Sequence, residues 1–475
     1  MSTLFDPLRT ASVALDLVAA QHAPPSLLKA RQEQRLRTVW AEACAGSAFY
    51  RERLRGLEPG LAGLSAVAPV RRQELMARFD DWVCDPALRL SELRAFTADP
   101  SRIGEPWLGR YLVWESSGTS HAPGIFVQDA ATLAVYDALE ALRRAVPPTW
   151  QRCWNPWQVG ERMAFVGVTT GHFASVISAQ RLRQLNPLLG QSLRCFSILQ
   201  STEALVDELN AFGPKLIATY PSVGALLAHE ALQGRLSVRP AEVWTGGETL
   251  TPAVRRRIES TWGCVLRNSY GASEFMSMAW ECRLGRLHAN ADWVLLEAVD
   301  EQGRPVPAGQ ASHTTLLTHL ANRVQPLIRY DLGDQITWSG QPCPCGCSLP
   351  VLEVQGRHDE PLQMVGPDGL AVTLLPLALS TVLEEEAGVF DFQFGQRGAH
   401  TLVLRLGSQV AADAGPRCRS VLERWARAQG LQDVVLEIEH AKGLPRGRSG
   451  KAQRWMRAPV AGGHRLHKPG KWQID

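Results

Sequence analysis

Long apolar runs are missing from this chain of 475 residues. Nothing in it approaches the about eighteen consecutive apolar residues of a membrane span. The N-terminal segment MSTLFDPLRTASVALDLVAAQHAPP has Asp16 inside its apolar stretch and no basic region ahead of it, so it reads as an amphipathic helix and not as a signal peptide. Charge of one sign is missing too: the net charge is +3, and arginine is spread along the chain instead of gathered in a block, which argues against a nucleic-acid surface. With ten cysteines in all, a disulfide scaffold is excluded, and a cytoplasmic enzyme is the expectation; the informative cysteines are then those at metal-ligand spacing. Nor is there a Walker A loop, since Gly450-Lys451 is followed by Ala452 and has Pro445 where the first glycine belongs. A G-x-S-x-G elbow and a dinucleotide fingerprint are absent as well.

What is present points to layered architecture. At about 150 residues per domain the length suggests two or three domains. Residues 1–95 read as helices with arginine-rich polar faces, broken at APP (23–25) and LEPGLAGL (57–64). Short apolar runs then alternate with helical ones: YLVWE, a helix over about 130–145, RMAFVGV, a helix near 201–212, KLIATY, a helix over 222–232, AEVWTGG, a helix over 252–261, and CVLRNSYG. That alternation predicts parallel strands joined by right-handed crossovers, an α/β fold. From about residue 291 strands and turns take over, which predicts a β-rich subdomain over roughly 291–350 within a large N-terminal α/β domain of residues 1–356. Residues 357–475 follow as a small α+β domain with helices over 374–386 and 411–429, a unit large enough to fold and move as a body.

Four hydroxyl-bearing residues and a glycine fill positions 116–120 of ESSGTSHAPG, directly after the apolar run YLVW. Hydroxyls and backbone N–H groups at such a turn can wrap an anion, and Gly118 permits close approach; a plain polar turn is the competing reading. TGGETL (245–250) and NSYGASEF (268–275) each end a predicted strand, and the carboxyl ends of strands are where parallel sheets bind ligands. Tyr270 can stack on a flat base and Glu274 can hold Mg²⁺ against phosphates. RYDLGD places Asp334 after a glycine turn, suited to ribose hydroxyls, and GLPRGRSGKAQR sets Lys451 on a glycine-rich loop.

Taken together these motifs resemble the AMP-forming adenylate enzymes, and among them the phenylacetate–CoA ligase-like family, with SSGTSHAP, GGE, NSYGASEF, YDLGD with GRHDE, and PRGRSGK in the family's order over most of residues 95–460. The resemblance implies that Ser116, Ser117, Gly118, Thr119 and Ser120 cradle the ATP phosphates, with Thr119 in the catalytic set. It implies that Gly247, Glu248, Asn268, Ser269, Tyr270 and Gly271 line the adenine, that Glu274 lies near Mg²⁺, and that Asp334 and Arg357 hold the ribose. Asp359 becomes the hinge and Lys451 the catalytic lysine. A lysine on a mobile domain suits the reaction, because charge that grows as a carboxylate attacks the α-phosphate is neutralised only while the domain is closed. In one respect the loop departs from the family's Ser-Gly-Thr-Thr-Gly-x-Pro: His121 replaces the second glycine, and Ala122 stands where a lysine is common.

Two further groups complete the expectation. CPCGCSLP (343–350) and ECRLGRLH (281–288) give a C-x₅-H…C-x-C array suited to tetrahedral Zn²⁺; buried free thiols in a turn are the competing reading. The family resemblance selects Cys282, His288, Cys343 and Cys345 as a closed structural set and leaves Cys347 spare. It also places Gly171, His172 and Tyr136 at the acyl-substrate pocket, although a capping or core histidine is the more ordinary role for His172. The activity implied is ATP-dependent activation of a carboxylic acid, aryl or small and apolar, to an acyl-adenylate. Transfer follows to the thiol of coenzyme A or of a carrier protein's phosphopantetheine. Transfer to an amine and a degenerate nucleotide-binding interaction protein are the alternatives. The expected partners are a small-molecule acid and possibly a carrier protein, without nucleic acid or membrane, in a monomer or homodimer.

Overall fold

The computed structural model describes residues 4–116, 123–143, 161–185, 187–355, 361–367, 369–408, 410–411, 413–432, 434–441, 444 and 455–456. No helix among them is long and apolar enough to cross a membrane. A helical layer comes first. Helices Pro7–Gln21 and Pro25–Gly46, with shorter ones as far as Leu90–Thr97, bury Leu36, Val39, Trp40, Trp82 and Phe96 against a ribbon of two antiparallel strands, β1 (Tyr111–Glu115) and β2 (Ile125–Asp129). YLVWE therefore does not join the parallel sheet expected of it. Its partner IFVQD lies only ten residues downstream, so the pair closes locally, as a tight antiparallel connection allows and a parallel one does not.

Nine strands form the principal sheet. In chain order they are β3 (Met163–Gly167), β4 (Leu193–Ser197), β5 (Leu216–Thr219), β6 (Glu242–Thr245), β7 (Val265–Ala272), β8 (Phe275–Glu281) and β9 (Leu287–Ala289), then, after a separate sheet, β13 (Gln335–Trp338) and β14 (Val351–Gln355). Across the sheet they run β13-β14-β9-β8-β7-β6-β5-β3-β4. The half from β4 to β7 is parallel, as the alternation predicts, and crossover helices Thr202–Phe212, Pro221–Leu232 and Pro252–Trp262 return the chain. Local chemistry fixes their ends: Ser201 and Thr251 accept from Ala204 N and Val254 N at 3.2 Å each, and Pro sits in the first turn of the last two helices, all ordinary helix-start devices. From β7 onward the sheet turns antiparallel.

The predicted β-rich stretch divides in two. β10 (Val294–Val299), β11 (Thr314–His319) and β12 (Tyr330–Asp331) make a three-stranded sheet of their own, while β13 and β14 extend the principal one. Further on, β15 (Leu362–Val365) pairs with β16 (Ala371–Leu374), and β17 (Phe392–Arg397), β18 (Thr401–Leu406) and β19 (Val435–His440) form the last sheet with helices Pro376–Glu385 and Ala414–Ala428. One apolar cluster joins this part to the parallel half-sheet, running from Val166, Phe196 and Leu205 to Leu379, Leu383 and Leu422. Trp425 Nε1 and Gln429 Nε2 add hydrogen bonds to Leu199 O at 3.2 and 2.9 Å.

Candidate active site

A single cleft opens at the carboxyl ends of the parallel strands. Its lining takes in Ser116, Arg72, Gly246, Gly247, Glu248, Asn268, Ser269, Tyr270, Gly271, Glu274, Tyr330 and Asp334, so residues far apart in the chain converge where such sheets bind ligands. Ser117, Gly118, Thr119, Ser120, Arg357, Asp359 and Lys451 lie outside the described residues.

The base of the hydroxyl-rich loop is well defined. Ser116 N donates to Gly124 O at 2.9 Å, and Ser116 Oγ accepts from Gly124 N at 2.8 Å, which closes the loop between β1 and β2. A second donor reaches the same oxygen: Arg72 Nη1, at 3.0 Å. The loop entrance is tied to the next element by Trp114 Nε1, which donates to Ser273 O at 2.8 Å, and this brings Glu274 beside it.

Two tyrosine–carboxylate pairs form the opposite wall. Tyr330 Oη donates to Glu274 Oε1 at 2.6 Å, and Tyr270 Oη donates to Asp334 Oδ2 at 3.0 Å. Burial, and after it the adjoining carboxylates, holds both phenols well above the usual tyrosine range, so both remain protonated donors at neutral pH. Gly271 is required by the β7–β8 hairpin, because a Cβ there would fall 1.9 Å from Met276 O. Gly247 has φ 77°, and a Cβ on it would meet the Tyr220 ring at 3.2 Å; only a bare backbone turns there and leaves the cleft open. Asn268 and Ser269 face Thr245, with Thr245 Oγ1 on Asn268 Oδ1 at 3.0 Å and Ser269 Oγ on Thr245 O at 3.3 Å. Both oxygens of Glu248 accept from Ser222, one from its N and one from its Oγ, at 3.0 Å each. That carboxylate caps the start of helix Pro221–Leu232 while its backbone lines the cleft.

Three residues expected at the acyl pocket separate. Tyr136 lines the cleft through its ring, packed edge-on against Phe275 at 5.3 Å between centroids, but its hydroxyl meets His319 Nε2 at 3.0 Å. His319 Nδ1 accepts from Ala321 N and Asn322 N, and burial pushes its pKa down to about 3, so the ring is neutral and Nε2–H donates to Tyr136. Gly171 sits at a turn with φ 74°, where a Cβ would meet Glu385 Oε1 at 2.5 Å. His172 faces away from the cleft: it is 1% exposed, bonded through Nε2 to Asp99 O at 3.1 Å and packed on Phe96. The ordinary core role therefore describes it. Arg72 is the residue that sequence reasoning missed. It is one of a run of arginines, and only the fold lays its guanidinium against Ser116.

The sulfur and imidazole donors do converge. The ligand atoms of Cys282, His288, Cys343 and Cys345 lie within 4.8 Å of one another, with Cys282 Sγ and Cys343 Sγ at 3.9 Å and Cys345 Sγ and His288 Nε2 at 3.4 Å, so small side-chain shifts would bring them to the edges of roughly 3.3–3.8 Å that donors about 2.0–2.3 Å from one centre make in a tetrahedron. His288 Nδ1 is directed to Leu349 O at 2.9 Å, which leaves the Nε2 lone pair for a metal. Cys347 N donates to Cys345 Sγ at 3.4 Å. Cys347 itself belongs to the apolar core.

No family model matches the chain. Over 251 residues it is 28% identical to a phenylacetate-coenzyme A ligase of Thermus thermophilus, covering 48% of this chain and 56% of that protein. A second relative, Protein CapK of Staphylococcus aureus, is 28% identical over 213 residues, or 44% of this chain and 45% of its own. The chain thus spans about half the length of the curated relatives it matches. The crystal structure of a 2-hydroxyisobutyryl-CoA ligase in complex with 2-HIB-AMP and CoA superposes with a TM-score of 0.59 at 21% identity, covering 92% of this chain and 91% of that one. Over about half its length the chain is thus similar to a phenylacetate-coenzyme A ligase, and it shares the fold of the 2-hydroxyisobutyryl-CoA ligase. From the part of the cleft lined by Ser116, Glu274 and Asp334, the space bordered by Tyr136, Met276 and helix Ala174–Leu185 continues onward.

Proposed function

We propose that this protein activates a carboxylic acid with ATP and passes the acyl group to a thiol. The carboxylate oxygen attacks the α-phosphorus, pyrophosphate leaves and an acyl-adenylate remains; a thiolate then attacks the acyl carbon and AMP leaves. The observation that carries the reading is the convergence of two carboxylates, each held by a buried tyrosine, with a hydroxyl-rich loop base at the carboxyl ends of a parallel sheet. Asp334 is suited to accept from ribose hydroxyls, Tyr270 and the Gly246–Gly247 backbone to border the base, and Ser116 to open the phosphate loop. Glu274 would hold Mg²⁺, which when bound screens the phosphate charge. Coenzyme A is the favoured thiol, a carrier protein's phosphopantetheine the other candidate, and the acid is aryl or small and apolar. Lys451 would supply the adenylation cation, and Asp359 the hinge between an N-terminal domain ending at 356 and the small domain.

Arg72 answers the departure in the phosphate loop. Ala122 brings no cation, and Arg72 brings one to the loop's first hydroxyl from outside the loop. Electrostatic stabilisation of this kind predicts that Arg72→Ala lowers kcat/KM for ATP by about 10–100-fold and that Arg72→Lys recovers part of the loss. Equal kinetics in wild type and Arg72→Ala would remove Arg72 from the site.

The cysteine–histidine cluster would hold structural Zn²⁺, whose charge offsets that of the thiolates around it; its four protein donors leave no open position for substrate. The function itself is tested by ATP–pyrophosphate exchange against a panel of acids, followed by coenzyme A as acceptor. Acid-dependent exchange and a thioester product are expected, and no exchange with any acid would overturn the reading.

A further inference from the structure

Among the described residues other than glycine, only Leu108, at 50°, and Arg329, at 51°, have a positive φ. Leu108 is 54% exposed, in the turn before Gly109. Arg329 is 3% exposed and immediately precedes Tyr330, the residue whose hydroxyl holds Glu274. The left-handed region crowds the Cβ of an ordinary residue against its own backbone, and such a conformation persists only where the surroundings over-determine it.

At Arg329 the residue's own contacts do this. Its guanidinium forks onto Glu297 of β10, Nε to Oε2 at 3.1 Å and Nη2 to Oε1 at 3.0 Å, while Nη1 donates to Ser65 O and Val67 O at 3.0 and 2.7 Å. The main chain is fastened as well: Arg329 N donates to Thr318 Oγ1 at 3.0 Å, and Arg329 O accepts from Val70 N at 3.0 Å. Asp331 N donates to Val70 O at 2.9 Å, which sets Val70 parallel to Tyr330 as a single bridge. One arginine thus fixes residues 65–70, which arrive from the helical layer, onto β12. Two residues beyond Val70 that segment presents Arg72 to Ser116. One residue beyond Arg329 the strand presents Tyr330 to Glu274.

We infer that Arg329 is a positioning residue: its clamp on Glu297, Ser65 and Val67, closed in a left-handed backbone, sets Arg72 on one wall of the cleft at a fixed place relative to Glu274 on the other. The inference rests on the reading of the cleft as a nucleotide site and adds to it a group that acts through Arg72 and Tyr330. Displacing a group of the site by about 1 Å can cost about a hundredfold, and the point charge of a lysine does not reproduce an arginine fork.

The test is ATP binding by titration calorimetry at a series of Mg²⁺ concentrations, with ATP–pyrophosphate exchange run alongside against a panel of acids. Arg329→Lys keeps the charge and loses the fork; Glu297→Gln loosens the same clamp from its other side should Arg329→Lys fail to fold. Each variant is expected to bind ATP about tenfold more weakly and to need about threefold more Mg²⁺ for half-maximal binding. In an Arg72→Ala background the loss of affinity is expected to shrink to about twofold or less, and in a Glu274→Gln background the added Mg²⁺ requirement should vanish, because groups that act as a unit are not additive. A merely structural role lowers the stoichiometry of binding and leaves the affinity of the folded molecules unchanged. Wild-type affinity and Mg²⁺ requirement in both variants, or losses of full size in both backgrounds, overturn the inference and leave the acid-activating reading standing. ATP binding without exchange for any acid overturns the acid-activating reading alone, and no ATP binding by the wild type overturns both.

Discussion

Replacing Glu274 with glutamine is expected to slow ATP–pyrophosphate exchange by about a hundredfold to a thousandfold while leaving the wall of the cleft in place. Glu274 is 9% exposed, in the turn between β7 and β8, and its carboxylate takes the Tyr330 hydroxyl at 2.6 Å. A glutamine oxygen still accepts that hydroxyl, though more weakly than a carboxylate, so the substitution chiefly removes charge. A carboxylate facing a triphosphate repels it at short range unless a cation stands between them. The loss is therefore expected to concentrate in the metal dependence, with the Mg²⁺ concentration for half-maximal exchange shifted upward. Because burial and Glu274 keep the Tyr330 phenol protonated, no ionisation of that tyrosine should complicate the profile at neutral pH. Exchange that matches wild type at every Mg²⁺ concentration would show that Glu274 does not serve as the metal's carboxylate.

Much of the fold was legible because local rules decide it. Strands β3 to β7 and the helices between them follow the alternation of short apolar runs with amphipathic stretches, and the helix ends follow Ser201, Thr251, Pro221 and Pro252. The β1–β2 ribbon was misjudged because an apolar strand carries no mark of its partner: YLVWE reads alike beside β2 or beside a parallel neighbour, and the short reach to IFVQD decides the matter. The same limit explains the site. Glu274 and Asp334 end recognisable strand motifs, and their positions could be anticipated; that each is held by a tyrosine, Tyr330 and Tyr270 respectively, is a contact across 56 and 64 residues. Arg72 could not be singled out, since arginine is common here and what distinguishes it is a bond to Ser116 44 residues away. His172 shows the converse. A conspicuous histidine next to a glycine turn attracts a functional reading, and the helical layer around Asp99 and Phe96 absorbs it.

Withdrawing metal from the Cys282, His288, Cys343 and Cys345 cluster is expected to produce the largest loss of stability. Three sulfurs and an imidazole nitrogen gathered in a mostly buried site repel one another as thiolates, and as thiols they contribute only weak hydrogen bonds, so the arrangement is favourable chiefly with a cation at its centre. The cluster fastens β8 and β9 to the loop between β13 and β14. That loop in turn holds the end of helix Pro7–Gln21, through Ser348 N on Gln21 O at 2.9 Å and His22 Nδ1 against Gly346 O at 3.3 Å. Since about 1 kcal/mol moves the melting midpoint of a large domain by about 2–4 °C, and structural zinc is commonly worth several times that, chelation should lower the midpoint by about 10 °C, and Cys345→Ala by a similar amount with loss of bound zinc. Cys347→Ala is the discriminating control. Its sulfur lies in the apolar core, and it supports the site only through its backbone N–H on Cys345 Sγ, which alanine retains; zinc stoichiometry should therefore persist in that variant. Wild-type protein that contains no zinc, or that melts identically before and after chelation, would leave the four residues as a cluster of free thiols beside a core histidine. Because β13 begins one residue after Asp334, the same loosening should reach the proposed nucleotide site, and chelated protein should show a raised KM for ATP before its fold is lost.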